Sequence, residues 1–185
     1  MTAPRALAIG AALALSCAPS HAAERAQLCP SAREAMAKAP DLAAAMAAAY
    51  GRLPVRRRGD DDADCIYPVD TLHFADAYVL LTIAQDPDTA CHGCSATLTA
   101  SVLRREGAGL KLVNRAPNVV EIGSNGVPGT ITPIAFGGDD GFVVEGGGTF
   151  QGHTSTAAAV VVFRGGRAIN PVSYTHLTLP TIYSV

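Results

Sequence analysis

Apolar and polar residues change rhythm once along the chain, and the change divides a short helical region from a longer β region. Ser31-Ala32-Arg33-Glu34 has the spacing of a capping box, and the Ala-rich run behind it predicts a helix to about Ala39. Pro40 interrupts that helix. Asp41 is placed to cap a second one, over Leu42 to Tyr50, which Gly51 ends. Beyond Cys65 the runs become short and β-type. Tyr78 to Ala84 is apolar and β-branched, as in a strand buried on both faces. Ser95 to Val102 alternates strictly, with Ala96, Leu98, Ala100 and Val102 on one face and Thr97, Thr99 and Ser101 on the other.

Further strands are expected at Leu110 to Asn114, Asn118 to Ile122, Thr130 to Phe136, Gly141 to Glu145 and Thr156 to Phe163. Glycine-rich turns divide them at 106–109, 123–126, 137–141 and 165–166. No periodic helix intervenes to build parallel βαβ units. The expected fold is therefore mainly β, an antiparallel sandwich or barrel with a short α-helical N-terminal segment.

Both ends of the 185-residue chain stand apart from this pattern. Residues 1–22 read as a signal peptide. Arg5 supplies the positive start, Ala6 to Ser16 is an uncharged run rich in Ala and Leu, and Ser20-His21-Ala22 offers small residues at the cleavage offsets. Cys17 follows Ala14-Leu15-Ser16 without a Leu three residues before it, so lipidation is not the expected fate. At the other end, residues 172–185 carry no charge and resemble a translated sequencing adapter. A transposase adapter frame encodes Val172 to Thr181 without a mismatch. Residues 172–185 are accordingly read as adapter-derived, with the natural protein expected to continue beyond Pro171.

Between these ends the expected organisation is a helical segment at 23–51, a charged linker at 52–64 and a β-rich domain at 65–171. The linker carries Arg56-Arg57-Arg58 and then Asp60-Asp61-Asp62 and Asp64, blocks close enough to neutralise each other. Composition narrows the function classes. The chain is 49% apolar and 16% charged, with a formal charge of −2, which supplies no field for nucleic acid. After the signal, no run reaches the ~20 apolar residues that a transmembrane span needs.

Export would leave Cys29, Cys65, Cys91 and Cys94 in an oxidising compartment, where disulfides are the default and secretion or a periplasmic location follows. Four cysteines allow three pairings, of which Cys91–Cys94 with Cys29–Cys65 is the simplest. Cys91-His92-Gly93-Cys94 has redox spacing, but a strand pattern follows it where a thioredoxin-type site needs a helix N-terminus to stabilise the thiolate. A stiffening bridge between two strands is the preferred reading. Metal binding through Cys91, His92, Cys94 and His153, with His73 more distant, is the alternative. It offers one close pair of ligands where a structural zinc site wants four.

Glu145-Gly146-Gly147-Gly148-Thr149-Phe150-Gln151-Gly152-His153-Thr154 is the second notable segment. Its glycines permit close backbone approach to a ligand, with Glu145, Gln151 and His153 as candidate binding residues. No Gly-Lys-Ser/Thr phosphate loop and no Gly-x-Ser-x-Gly elbow accompanies it, so no catalytic residue and no cofactor is assigned. The preferred local structure is a tight turn with a His at its edge. Together, Cys-His-x-Cys-x-Ala-x-Leu at Cys91 to Leu98 and Glu-Gly-Gly-x-x-x-Gln-Gly at Glu145 to Gly152 resemble a group of exported bacterial β-rich proteins without an assigned activity. The resemblance spans about Tyr78 to Phe163. It implies that the CHGC loop and the Gly-rich segment belong to one module and face one another. The expected function is non-catalytic binding or scaffolding, with thiol-disulfide or metal chemistry at the CHGC loop as the alternative.

Overall fold

The computed structural model describes residues 26–57, 65–150 and 153–178. They form helices α1 (Ala32–Lys38) and α2 (Pro40–Tyr50), then strands β1 (Tyr67–His73), β2 (Tyr78–Ile83), β3 (Ala96–Glu106), β4 (Gly109–Ile122), β5 (Thr130–Phe136), β6 (Asp139–Phe150), β7 (His153–Arg164) and β8 (Arg167–Thr178). The strands make two antiparallel four-stranded sheets, β1-β2-β3-β4 and β5-β6-β7-β8, each a meander in sequence order. The architecture is a sandwich of two open sheets, not a closed barrel.

Three layers result. Leu72, Val79, Leu81, Ile83, Leu98, Ala100 and Val102 of the first sheet share a core with Phe142, Val144, Ala159 and Val161 of the second. The other face of the first sheet carries the helices, where Leu80 and Leu103 meet Leu42, Ala45, Met46 and Ala49. Strand β2 is thus buried on both sides, which explains why Val79, Leu80, Leu81 and Ile83 are all apolar. On β3, Ala96, Leu98, Ala100 and Val102 are all buried toward the second sheet, the face that strict alternation predicts.

Several local expectations need correction. Ser31 makes no side-chain cap to α1, and the capping box does not close. Its hydroxyl donates to Asp86 Oδ1 at 2.6 Å and its backbone N–H to Asp86 Oδ2 at 3.4 Å, while Glu34 pairs with Lys38 at 2.6 Å. A buried carboxylate from the loop after β2 outcompetes the local cap. Asp41 likewise does not cap α2. Pro40 is its first residue, where a missing N–H costs nothing, and Ala39 stands before it.

Asp86 also accepts the Asp88 N–H at 3.1 Å, so one side chain organises both its own turn and the start of α1. Burial, then Asp88 and Asp86, pushes the nearby Tyr67 hydroxyl above its ordinary range. Asp86→Ala should lower stability by about 1–3 kcal/mol, because buried donors lose their acceptor. Chemical denaturation checks this, and an unchanged midpoint would refute the cross-link.

The charged segment is not wholly a linker. Backbone bonds from Leu28 N–H to Pro54 O (2.8 Å), Arg56 N–H to Leu28 O (2.9 Å) and Cys29 N–H to Ile66 O (3.0 Å) align three stretches beneath the helices, and Leu53 and Val55 pack there. Residues 58–64, with the acidic block, lie outside the described residues.

The expected strands 110–114 and 118–122 are one strand, β4. Between Ala116 and Val120 it carries two more residues than β3 does between Leu98 and Ala100, and Asn118 there has φ +53°. Pro117 cannot donate to a ladder, but β4 is an edge strand, where a bulge absorbs it. Strand β1 went unpredicted because Pro68 and Asp70 disguise its alternation, and a register shift lies between them. Strand β8 continues through Thr178, into the stretch read as adapter-derived. Its register slips between Ile169 and Val172, where β8 takes three steps against two in β7.

Candidate functional site

The two motifs singled out by sequence meet where the chain crosses from the first sheet to the second. After β4, Gly123 leads into a small turn in which Ser124 and Val127 exchange backbone bonds of 3.2 and 3.0 Å, and Gly129 opens β5. The CHGC loop sits against this turn. Asn125 N–H donates to His92 O at 3.2 Å and Gly126 N–H to Cys94 O at 2.9 Å. On the far side, Ser124 Oγ donates to Gly147 O at 2.8 Å.

His92 spans the junction. Its Nδ1 lies 2.9 Å from Asn125 Oδ1 and its Nε2 3.3 Å from the carbonyl oxygen of Thr149. One side chain therefore ties the CHGC loop, the crossover turn and the Gly-rich stretch. Both neighbouring atoms are acceptors, and a neutral ring donates its one N–H to whichever of them the tautomer serves.

The four cysteines among the described residues lie in disulfides, Cys29–Cys65 and Cys91–Cys94. Cys29 and Cys65 are buried beneath the helices, while Cys91 is exposed and Cys94 partly so. Strand β3, not a helix, follows Cys94. In this oxidised form the sulfurs of Cys91 and Cys94 are joined to each other, so neither is a thiolate ligand. Cys29, Cys65 and Asp86 also lie within 4.8 Å of one another, but there too the sulfurs are spent on a bridge.

The Gly-rich stretch is a correction. Glu145 to Phe150 is not a turn but the second half of β6, paired with β7 from Glu145↔Ala158 to Phe150↔His153. Its glycines admit the chain's own backbone. A Cβ on Gly146 would overlap the carbonyl oxygen of Pro128 and come within 3.0 Å of Gly123, and one on Gly129 would overlap Glu145 O. Backbone packs directly on backbone at this crossing. Gly146→Ala should therefore destabilise the fold by about 1–3 kcal/mol. A melting temperature equal to the parent's would contradict this packing.

The remaining candidates separate. Five register steps divide Glu145 from the Phe150↔His153 pair, about 17 Å at the usual rise, and side-chain alternation puts Glu145 and His153 on opposite faces of the second sheet. They do not form an acid/base pair. Glu145 instead lines a hollow of about 430 Å³ with Thr156 and Ala158, while His153 is exposed beside the hairpin end. Gln151 lies outside the described residues. His73 is remote from the CHGC loop, its ring tilted against that of Tyr78 with centroids 4.8 Å apart and its Nε2 3.7 Å from Asp41 Oδ2.

Sequence reasoning missed a polar clamp on the helical side. Arg115 lies 3.9 Å over the Tyr50 ring and donates to Ala49 O and to Ser101 Oγ, while the Tyr50 hydroxyl bonds Thr82 Oγ1 at 3.0 Å. The alternation of β4 gave the only signal, an Arg placed on the face toward α2. Also missed was the outer face of the second sheet, where Ile134, Val143 and Val160 are half-buried and Ile169 is 43% exposed. None of the described helices is long and apolar enough to cross a membrane. No family model, curated protein or solved structure matches this chain.

Proposed function

We propose that the chain is an exported β module, fastened by its disulfides, that binds or scaffolds another molecule without catalysis. The observation that carries this reading is the outer face of the second sheet. Phe142, Val144, Ala159 and Val161 point inward, so alternation turns Ile134, Val143, Val160 and Ile169 outward. An apolar face continuous across adjacent strands is a binding surface by its chemistry. Beside it, Glu145 and the small residues of the hollow leave the sheet backbone low.

Export rests on the signal-like start and on the paired cysteines, which favour an oxidising compartment such as the periplasm. The CHGC and Gly-rich motifs support kinship with exported bacterial β-rich proteins, and in this reading their shared feature is the clasp at the sheet crossing. A photo-crosslinking residue at Val143, introduced in the native host, should give one discrete adduct, and the same residue at Arg33 on the helical face should give none. Absence of any Val143 adduct overturns the binding face. Turnover of any substrate that is lost in His153→Ala, with the fold intact, overturns the non-catalytic reading.

One observation favours a second reading. Cys91 is exposed, with His92 beside it, which is what thiol-disulfide exchange at the CHGC loop requires.

A further inference from the structure

A groove crosses the helical layer, on the opposite side of the first sheet from the second sheet and its outer face. Leu28 and Met46 form its buried floor, Met36 of α1 one wall and Leu53 of the returning segment the other. Ala43 and Ala47, one turn apart on α2, keep it open. Its volume of about 470 Å³ falls in the range of small-molecule sites.

The lining is apolar except for Arg52, an exposed side chain beside Gly51, the residue that ends α2. No ion pair engages Arg52 among the described residues. Arg52 supplies the groove's positive charge, and at the end of α2 the Arg115 guanidinium donates to Ala49 O, offsetting part of the helix's negative end. Two methionines give walls that adapt to a flexible chain better than branched residues would.

We propose that this groove binds a free long-chain carboxylate, with the acyl chain over Met46 between Met36 and Leu53 and the carboxylate on Arg52. Charge complementarity selects the head, and the apolar trough selects the tail. The site is separate from the outer face of the second sheet and stands independently of it.

Calorimetric titration of the full chain, both disulfides formed, with sodium dodecanoate below its micelle concentration tests the proposal. One saturable site is expected. Arg52→Glu should weaken binding about tenfold, as loss of a charge-assisted hydrogen bond does, and dodecanol should bind the native chain more weakly by a similar factor. Ala47→Phe lies on the exposed side of α2 and should fill the groove, abolishing binding with the melting curve unchanged. Ala43→Leu serves the same end if that variant fails to fold. No saturable binding to the native chain overturns the proposal, as does binding that survives the groove-filling variant. Equal affinity for dodecanol and dodecanoate overturns the role of Arg52. Association only with phosphatidylglycerol vesicles overturns the free carboxylate in favour of a membrane surface.

Discussion

Replacing Cys29 and Cys65 together by alanine should lower stability by about 4 kcal/mol and free the helices from the first sheet. The bridge closes a loop of 36 residues, and loop-closure entropy in the unfolded chain gives that magnitude. Its place in the fold sharpens the consequence. Both cysteines are buried in the cluster formed by Leu28, Ala32, Leu42 and Met46 against Leu80 and Leu103. The same bridge also fixes Leu28 and Ile66 in their short backbone pairing. Urea unfolding measures the loss, and limited proteolysis should cut first between α1 and β1. A midpoint equal to the parent's would show that the helical layer is held by packing alone.

Phe142→Ala should cost about 3–5 kcal/mol, the usual range for removing a fully buried aromatic ring. Phe142 is completely buried between the sheets and lies 6.0 Å from Phe163, ring centroid to centroid. Its neighbour supplies the internal control. Val143 points to the outer face and is half-buried, so Val143→Ala should change stability far less. Thermal unfolding of the two variants reads the inner and outer faces of β6 directly. Similar losses from both would mean that the outer face is covered and would remove the binding surface proposed for it.

The mainly β class, the two short helices and the strict alternation of β3 were legible because each depends on neighbouring residues alone. Tyr78 to Ala84 was legible as a strand buried on both faces because its apolar run is itself local, and in β2 the second sheet covers one face and the helices the other. What escaped depended on partners distant in sequence. Ser31 looks like a cap until Asp86, 55 residues away, claims its hydroxyl. The glycines of β6 look like a loop until Gly123, Pro128 and Gly129 are laid against them. Pro68 and Pro117 break the pattern of strands that tolerate them only as edges. The candidate site divides in the same way. Cys91, His92 and Cys94 were visible as a motif, but the role of His92 follows from Asn125 and Thr149, which no local pattern connects to it.

Those contacts make the CHGC loop a clasp, and its alternative is a redox centre. Reduction of the exposed Cys91–Cys94 bridge should precede that of the buried Cys29–Cys65 bridge, and its loss should cost about 2 kcal/mol by loop entropy. The most direct test of the clasp is the rate at which the native chain catalyses insulin reduction by dithiothreitol, compared with the Cys91→Ser/Cys94→Ser variant. A structural clasp predicts no acceleration over buffer by either protein. Acceleration by the native chain that disappears in the variant would contradict it and make the loop a thiol-disulfide centre.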